Sequence, residues 1–215
     1  MILGRPPLPP HPLMLVTDRH RCPAGRSLAS IVDHAVSGGV NLVQLREKDL
    51  DAAHLLRLAR ELMEALAGRA LLLVNDRADV AVAAGAAGVH LGAASLPVPE
   101  ARAVAGLRML LGRSVHTLEE AQASEAEGAD YLVVGSLFET ASHPGMKPQG
   151  LGLARQVCET ARVPVLGIGG ITPERVPSCL AAGVSGVAVI SALLAAQDPR
   201  DAACRFVEAL RGQRG

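Results

Sequence analysis

Two short apolar runs near the C-terminus end in residues suited to holding an anion. The first, VPVLGIGG, closes on Gly169-Gly170 and leads into Thr172-Pro173, which read as a helix start. The second, GVAVIS, closes on Ile190-Ser191. Two buried strands that each run into a helix start gather several backbone N–H groups around one small volume, and the positive end of a helix adds to them. Gly169, Gly170, Ile190 and Ser191 are therefore read as a phosphate cup. A second anion grip lies in Gln44-Leu-Arg46-Glu-Lys48. On an extended segment Gln44, Arg46 and Lys48 share a face, and two cations beside an amide suit a phosphate or a carboxylate. A solvated strand end paired with neighbouring acids is the alternative.

Asp76, in Asn75-Asp76-Arg77, suits Mg²⁺ held through a substrate phosphate. Such sites usually use more than one carboxylate near the substrate, and Gly92-Ala-Ala-Ser95 supplies none, so an N-cap or salt-bridge role competes. Among the seven histidines, His143 and His116 are best placed for proton transfer near neutral pH. His143 sits in the Gly/Pro-bearing loop 139–151, which could close over a pocket. His116 precedes the capping box Thr117-Leu-Glu-Glu120, so a structural place at the helix entry competes with a catalytic one. His90 alternates with Val89 and Leu91 and reads as pointing into the core.

These residues need elements to position them. Short continuous runs rich in Val, Leu and Ile predict strands over 13–17, 40–45, 71–75, 88–91, 109–114, 131–135, 165–168 and 186–190. Such runs suit strands buried on both faces. Helical spacing lies between most of them. It is clearest over 51–66, where Leu55, Ala59, Leu62 and Leu66 form one stripe. The stretch 93–104 is the least defined, since Pro97 and Pro99 delay a helix. Similar segments open at Gly39, Gly85, Gly128 and Gly183, each reading as a C-cap glycine, a turn and a strand. They recur at every second strand, so a (βα)₂ unit repeats four times. The fold class is α/β, a single (β/α)₈ barrel over 13–215 preceded by a proline-rich arm over 1–12. An open doubly wound sheet is the structural alternative.

In such barrels chemistry collects at the C-terminal strand ends. Those ends hold Gln44, Arg46, Lys48, Asn75, Asp76, Ser114, His116, Ser136, Thr140, Ser142 and His143 as well as the cup, which makes them a ligand pocket. Formal net charge is zero with mixed signs, which argues against a nucleic-acid footprint. No segment is apolar long enough for a membrane span, and the arm lacks a signal-peptide core, so a cytoplasmic protein is expected. The four cysteines form no CxxC pair and imply neither zinc nor disulfides.

VQLREK, LLVNDR, AAGVHLG, GRSVHTLEEA, GADYLVVGSLFET, PVLGIGGI and GVAVIS, in this order, resemble the thiamine phosphate synthase/TenI superfamily across nearly the whole chain. The resemblance implies a (β/α)₈ barrel of thiamine biosynthesis and two rival activities. The synthase joins a pyrimidine methyl pyrophosphate to a thiazole phosphate and releases pyrophosphate with Mg²⁺. The TenI branch binds the thiazole phosphate alone and shifts its tautomer. From the synthase pattern the chain keeps Gln44, Arg46 and Lys48 for pyrophosphate, with Asn75, Asp76, Ser114, Thr140 and Ser142. The cup then takes the thiazole phosphate.

Two departures favour the TenI branch. Ala93 and Ala94 stand where the synthase has an acid, and His143 stands in place of a lysine. Against that branch, Ser136 occupies the place of a TenI histidine. The expectation is a thiazole tautomerase working without a cofactor. In it Arg46 pairs with the thiazole carboxylate, and His143 or His116 moves the proton. Thiamine phosphate synthase, with Mg²⁺ at Asp76, is the first alternative. A non-catalytic thiazole or thiamine phosphate-binding regulator is the second. The partner in each case is a small phosphorylated molecule, with a homo-oligomer possible and no nucleic acid or membrane.

Overall fold

A computed structural model of the chain describes residues 4–140 and 148–212. Eight parallel strands close into a barrel in sequence order: β1 (Leu13–Val16), β2 (Leu42–Leu45), β3 (Leu71–Asn75), β4 (Gly88–Leu91), β5 (Leu110–Val115), β6 (Tyr131–Gly135), β7 (Val165–Ile168) and β8 (Gly186–Val189). Closure is completed by β1 pairing with β8, Leu13 opposite Val187. The outer ring is α1 (Leu28–Ser37), α2 (Ala52–Leu66), α3 (Ala78–Ala84), α4 (Val98–Ala105), α5 (Leu118–Ala126), α6 (Gly150–Thr160), α7 (Val176–Ala181), α8 (Ser191–Leu194) and α9 (Pro199–Arg211). The predicted barrel is present, with strand ends shifted by one or two residues. Asp51 caps α2, its side chain accepting from the His54 N–H, and α4 begins only at Val98, just after Pro97.

Burial on both faces follows from the pleat. Along β1, Leu13 and Leu15 join the layer between sheet and helices, while Met14 and Val16 join the barrel interior. The interior is a compact set with Leu42, Leu73, Leu110, Tyr131, Val133, Leu166 and Ala188. One large ring needs one absent side chain: Gly112 lies opposite Tyr131, and a Cβ there would overlap the phenol. Leu8 of the arm packs against this interior, and Arg5 pairs with Asp130. The Asn41 amide ties the arm down, donating to the Pro10 carbonyl at 3.3 Å and accepting from the Leu13 N–H at 2.9 Å. No helix among the described residues is long and apolar enough to cross a membrane.

Candidate functional site

The C-terminal ends of the strands enclose a cavity of about 280 Å³. Its walls bring together Gln44, Arg46, Lys48, Asn75, Ser114, His116, Ser136, Thr140, Gly169, Gly170, Ile190 and Ser191 from six strand ends. Two cations line it and no carboxylate does among the described residues, so it is built for anions. Ser142 and His143 lie outside the described residues. Asp76 borders a neighbouring cavity of about 250 Å³, which shares Lys48 and Asn75 with the first.

The grip on β2 works because alternation separates its charges. Arg46 and Lys48 line the cavity, whereas Glu47 and Asp49 both bind Arg19, which ends the competing reading of a strand end neutralised by its own acids. The buried Glu47 carboxylate also accepts the Thr17 hydroxyl at 2.7 Å, and Thr17 Oγ1 in turn accepts the Arg46 N–H at 2.9 Å. The first strand thus holds the backbone of the second where Arg46 leaves it. On the other side a ladder crosses to β3. Gln44 Nε2 donates to Asn75 Oδ1 at 2.8 Å, and Asn75 Nδ2 donates to Asp76 Oδ2 at 2.7 Å.

Among the described residues Asp76 is neither an N-cap nor an ion-pair partner. Its Oδ1 accepts the Gly92 N–H at 3.1 Å and the Ser95 hydroxyl. The loop after β4, read as empty of acids, therefore supplies a hydroxyl to Asp76 instead. With Oδ2 taken once and a lone pair left on it, this donor set fits one hard cation completed by substrate phosphate oxygens and water. Among the described residues no group of three or more His, Cys, Asp or Glu side chains could hold a metal on protein ligands alone.

The cup is made by loop backbone more than by helix dipoles. Gly169 and Gly170 have φ of 100° and 61°, and a Cβ on either would overlap Ser136 or the Glu139 carbonyl. The predicted helix at Thr172-Pro173 is a 3₁₀ turn, Pro173–Arg175, ahead of the short α7. On the β8 side α8 is four residues long and its Leu193 and Leu194 N–H groups donate to the Ile190 carbonyl, so its contribution is the N–H groups of Ser191 and Ala192. Arg175 braces the cup from behind. Its guanidinium donates to the Gly170 carbonyl at 2.5 Å and lies 4.7 Å from the centroid of the Phe138 ring. Nothing in the spacing of the sequence marks Arg175 for this role.

Of the two histidines singled out, only His116 is described. It sits at the cavity rim with its backbone N–H donating to Glu120 Oε2 at 2.7 Å and its ring 3.5 Å from the same carboxylate. The capping box is present, with Thr117 accepting the Glu120 N–H. Ser136 donates to the Phe138 carbonyl at 2.9 Å. His90, read as core, lines the cavity at its deep end and is hydrogen-bonded to Tyr131 and Ser114.

Burial lowers the His90 pKa to about 4, with the nearby Asp76 charge pulling the other way. The unfolded chain, with His90 near its ordinary value, binds this proton more readily. Stability therefore falls as pH drops from about 6.5 to about 4, by roughly 3 kcal/mol from this residue. Urea unfolding across that window checks it: a His90→Asn variant is expected to show a slope flatter by about that amount.

The chain matches the family described as thiamine monophosphate synthase (TMP-TENI) over residues 13–193. A thiamine-phosphate synthase from Albidiferax ferrireducens is 46% identical over 196 residues, covering 90% of this chain and 89% of that one. One from Anaeromyxobacter dehalogenans is 45% identical over 185 residues, covering 84% and 83%. The solved thiamine phosphate pyrophosphorylase from Pyrococcus furiosus superposes with a TM-score of 0.86 at 35% identity, covering 95% of this chain and 97% of that one. A 3-hexulose-6-phosphate synthase, at 19% identity and a TM-score of 0.69, shares the fold alone.

These relatives correct the expected tautomerase: at 45% and 46% identity they are named thiamine-phosphate synthases. The physical reason lies at Asp76, which Ser95 and Asn75 keep organised although Ala93 and Ala94 carry no acid. The family match, the sequence relatives and the superposed barrel converge: the chain belongs to the thiamine monophosphate synthase family.

Proposed function

We propose that the protein is a thiamine-phosphate synthase, joining hydroxymethylpyrimidine pyrophosphate to thiazole phosphate and releasing pyrophosphate. The observation that carries this reading is a single cavity with two separate anion grips, Arg46 and Lys48 on one side and the glycine cup on the other. A proton shift on one thiazole carboxylate phosphate would use the cup and Arg46 and leave Lys48 without an anion to bind, whereas a pyrophosphate engages both cations. Names borne by relatives at 42–46% identity support the same reading.

In this mechanism the cup holds the thiazole phosphate and aims its ring nitrogen inwards. Arg46 and Lys48 hold the pyrophosphate of the other substrate, with Gln44 and Asn75 beside it. The bond from the pyrimidine's exocyclic methylene carbon to pyrophosphate oxygen breaks, its electron pair leaving with pyrophosphate. The thiazole nitrogen lone pair forms the new C–N bond to that carbon. The ring nitrogen becomes cationic, and no proton has to be removed. A histidine base is accordingly unnecessary, which suits Ser136 at the end of β6 and His116 engaged by Glu120.

Arg46 and Lys48 stabilise the negative charge that builds on the departing pyrophosphate, in a cavity that no carboxylate lines among the described residues. Asp76 is the residue that would hold Mg²⁺, which supplies further charge stabilisation to the same leaving group. The cytoplasm is the compartment that suits these phosphorylated substrates and the free cysteines, Cys22, Cys158, Cys179 and Cys204.

The test is incubation of the purified protein with both substrates and Mg²⁺. Thiamine phosphate and pyrophosphate are expected in equal amounts, and neither forms when either substrate is omitted. Failure to form the C–N bond, with both substrates shown by calorimetry to bind, overturns the proposal.

A further inference from the structure

The deep wall of the cavity carries three polar side chains in series, and burial decides which way each of them donates. Tyr131 and His90 are 0% and 2% exposed. The Tyr131 hydroxyl lies 3.0 Å from His90 Nδ1, and His90 Nε2 lies 2.9 Å from Ser114 Oγ. Both rings are fixed where they stand: Gly112 leaves the space that the phenol fills, and the two ring centroids are 5.7 Å apart.

Tyr131 Oη has His90 as its one hydrogen-bond partner among the described residues. If Nδ1 carried a proton and donated it to the phenol oxygen, the phenol's own proton would be buried without an acceptor. That penalty exceeds the return from the bond. The phenol therefore donates to Nδ1. Desolvation raises the Tyr131 pKa and lowers that of His90, so the phenol keeps its proton and the imidazole is neutral near pH 7. A neutral imidazole whose Nδ1 accepts has its single proton on Nε2. That proton goes to Ser114 Oγ, which is then an acceptor inside the wall and retains its own O–H for the cavity it lines.

We propose that Tyr131 and His90 are positioning residues that fix Ser114 as a hydrogen-bond donor towards the cavity. This wall thereby selects a bound ring that presents a neutral lone pair, such as an aromatic nitrogen, and disfavours one that presents an N–H. The opposite histidine tautomer would turn Ser114 round and reverse the preference. As a statement about substrate, the inference rests on the synthase reading; as a statement about the tautomer it does not.

The test is long-range ¹H–¹⁵N correlation on the ligand-free, ¹⁵N-histidine-labelled protein near pH 7. His90 is expected to show an unprotonated, pyridine-type Nδ1 and a protonated, pyrrole-type Nε2. A protonated Nδ1, or a fully protonated ring, overturns the proposal.

Tyr131→Phe removes the donor while keeping the ring that fills the space beside Gly112. Its His90 nitrogens are expected to move towards averaged, mixed-tautomer positions. KM for the pyrimidine pyrophosphate rises about five- to tenfold, with KM for thiazole phosphate unchanged. An unshifted His90 pattern in Tyr131→Phe overturns the proposal as well. The resonance measurements on the wild type need neither substrate nor turnover. Absence of thiamine phosphate formation would thus defeat the functional reading and leave the tautomer to be judged on its own result.

Discussion

Arg46→Ala is expected to lower kcat/KM for the pyrimidine pyrophosphate by about 10²- to 10³-fold, the range for removing one charge-stabilising donor at a leaving or developing anion. The Arg46 side chain lines the cavity and pairs with no carboxylate among the described residues, because Glu47 and Asp49 are bound by Arg19. Its loss therefore leaves no buried charge unpaired, and the melting temperature is expected to stay within about 2 °C of wild type. Part of the loss falls on kcat, since the grip strengthens as the pyrophosphate charge develops; KM for thiazole phosphate is unaffected. Arg46→Lys keeps the charge but loses the planar fork, and remains roughly tenfold below wild type. Steady-state kinetics with each substrate varied in turn checks the split. A change below about fivefold in Arg46→Ala would place the pyrophosphate elsewhere.

The second large effect is at the cup. Gly170→Ala puts a Cβ on a residue with φ of 61°, where it meets the Glu139 carbonyl and comes within 2.9 Å of the Phe138 Cβ. The backbone on one side or the other has to move, and the N–H groups of the 169–171 turn move with it. KM for thiazole phosphate is expected to rise about 100-fold, while that for the pyrimidine pyrophosphate changes by less than threefold. Strain and displaced packing lower stability by about 2–3 kcal/mol, a fall in Tm of roughly 5–10 °C. Calorimetric titration with thiazole phosphate separates the two effects, because a stability loss alone leaves the affinity of the folded protein intact.

The barrel was legible in the sequence because strands buried on both faces read as unbroken Val/Leu/Ile runs, and because the glycines at 39, 85, 128 and 183 mark the repeat. The cup and the β2 grip were legible for a related reason. Glycines at a strand end and cations at alternate positions are local patterns, and local patterns survive without coordinates.

What the sequence hid is contact across strands. His90 and Tyr131 are 41 residues apart, and alternation along β4 says that His90 points inwards but not that a phenol and a serine wait for it. The hold of Ser95 on Asp76 is hidden in the same way. It also explains the mistaken choice of branch, since counting acids at Ala93 and Ala94 overlooked a hydroxyl next door that keeps Asp76 in place. The length of α8 was not legible, because a helix start can be read from its first residues, whereas its stop depends on packing against α9 and α1.

The separation of charges along β2 has a consequence for how this family can change. The ligand's sign is stored as a parity: even-numbered side chains from Gln44 to Lys48 face the cavity, and the odd-numbered acids Glu47 and Asp49 face Arg19. Inserting or deleting a single residue near Leu45 would exchange the two sets, and a mouth that draws in pyrophosphate would become one that repels it. Length variation is consequently barred from this strand end and free to accumulate in the loops beyond it. A cation binder on the same barrel is one frame step away from the anion binder, with no residue type altered.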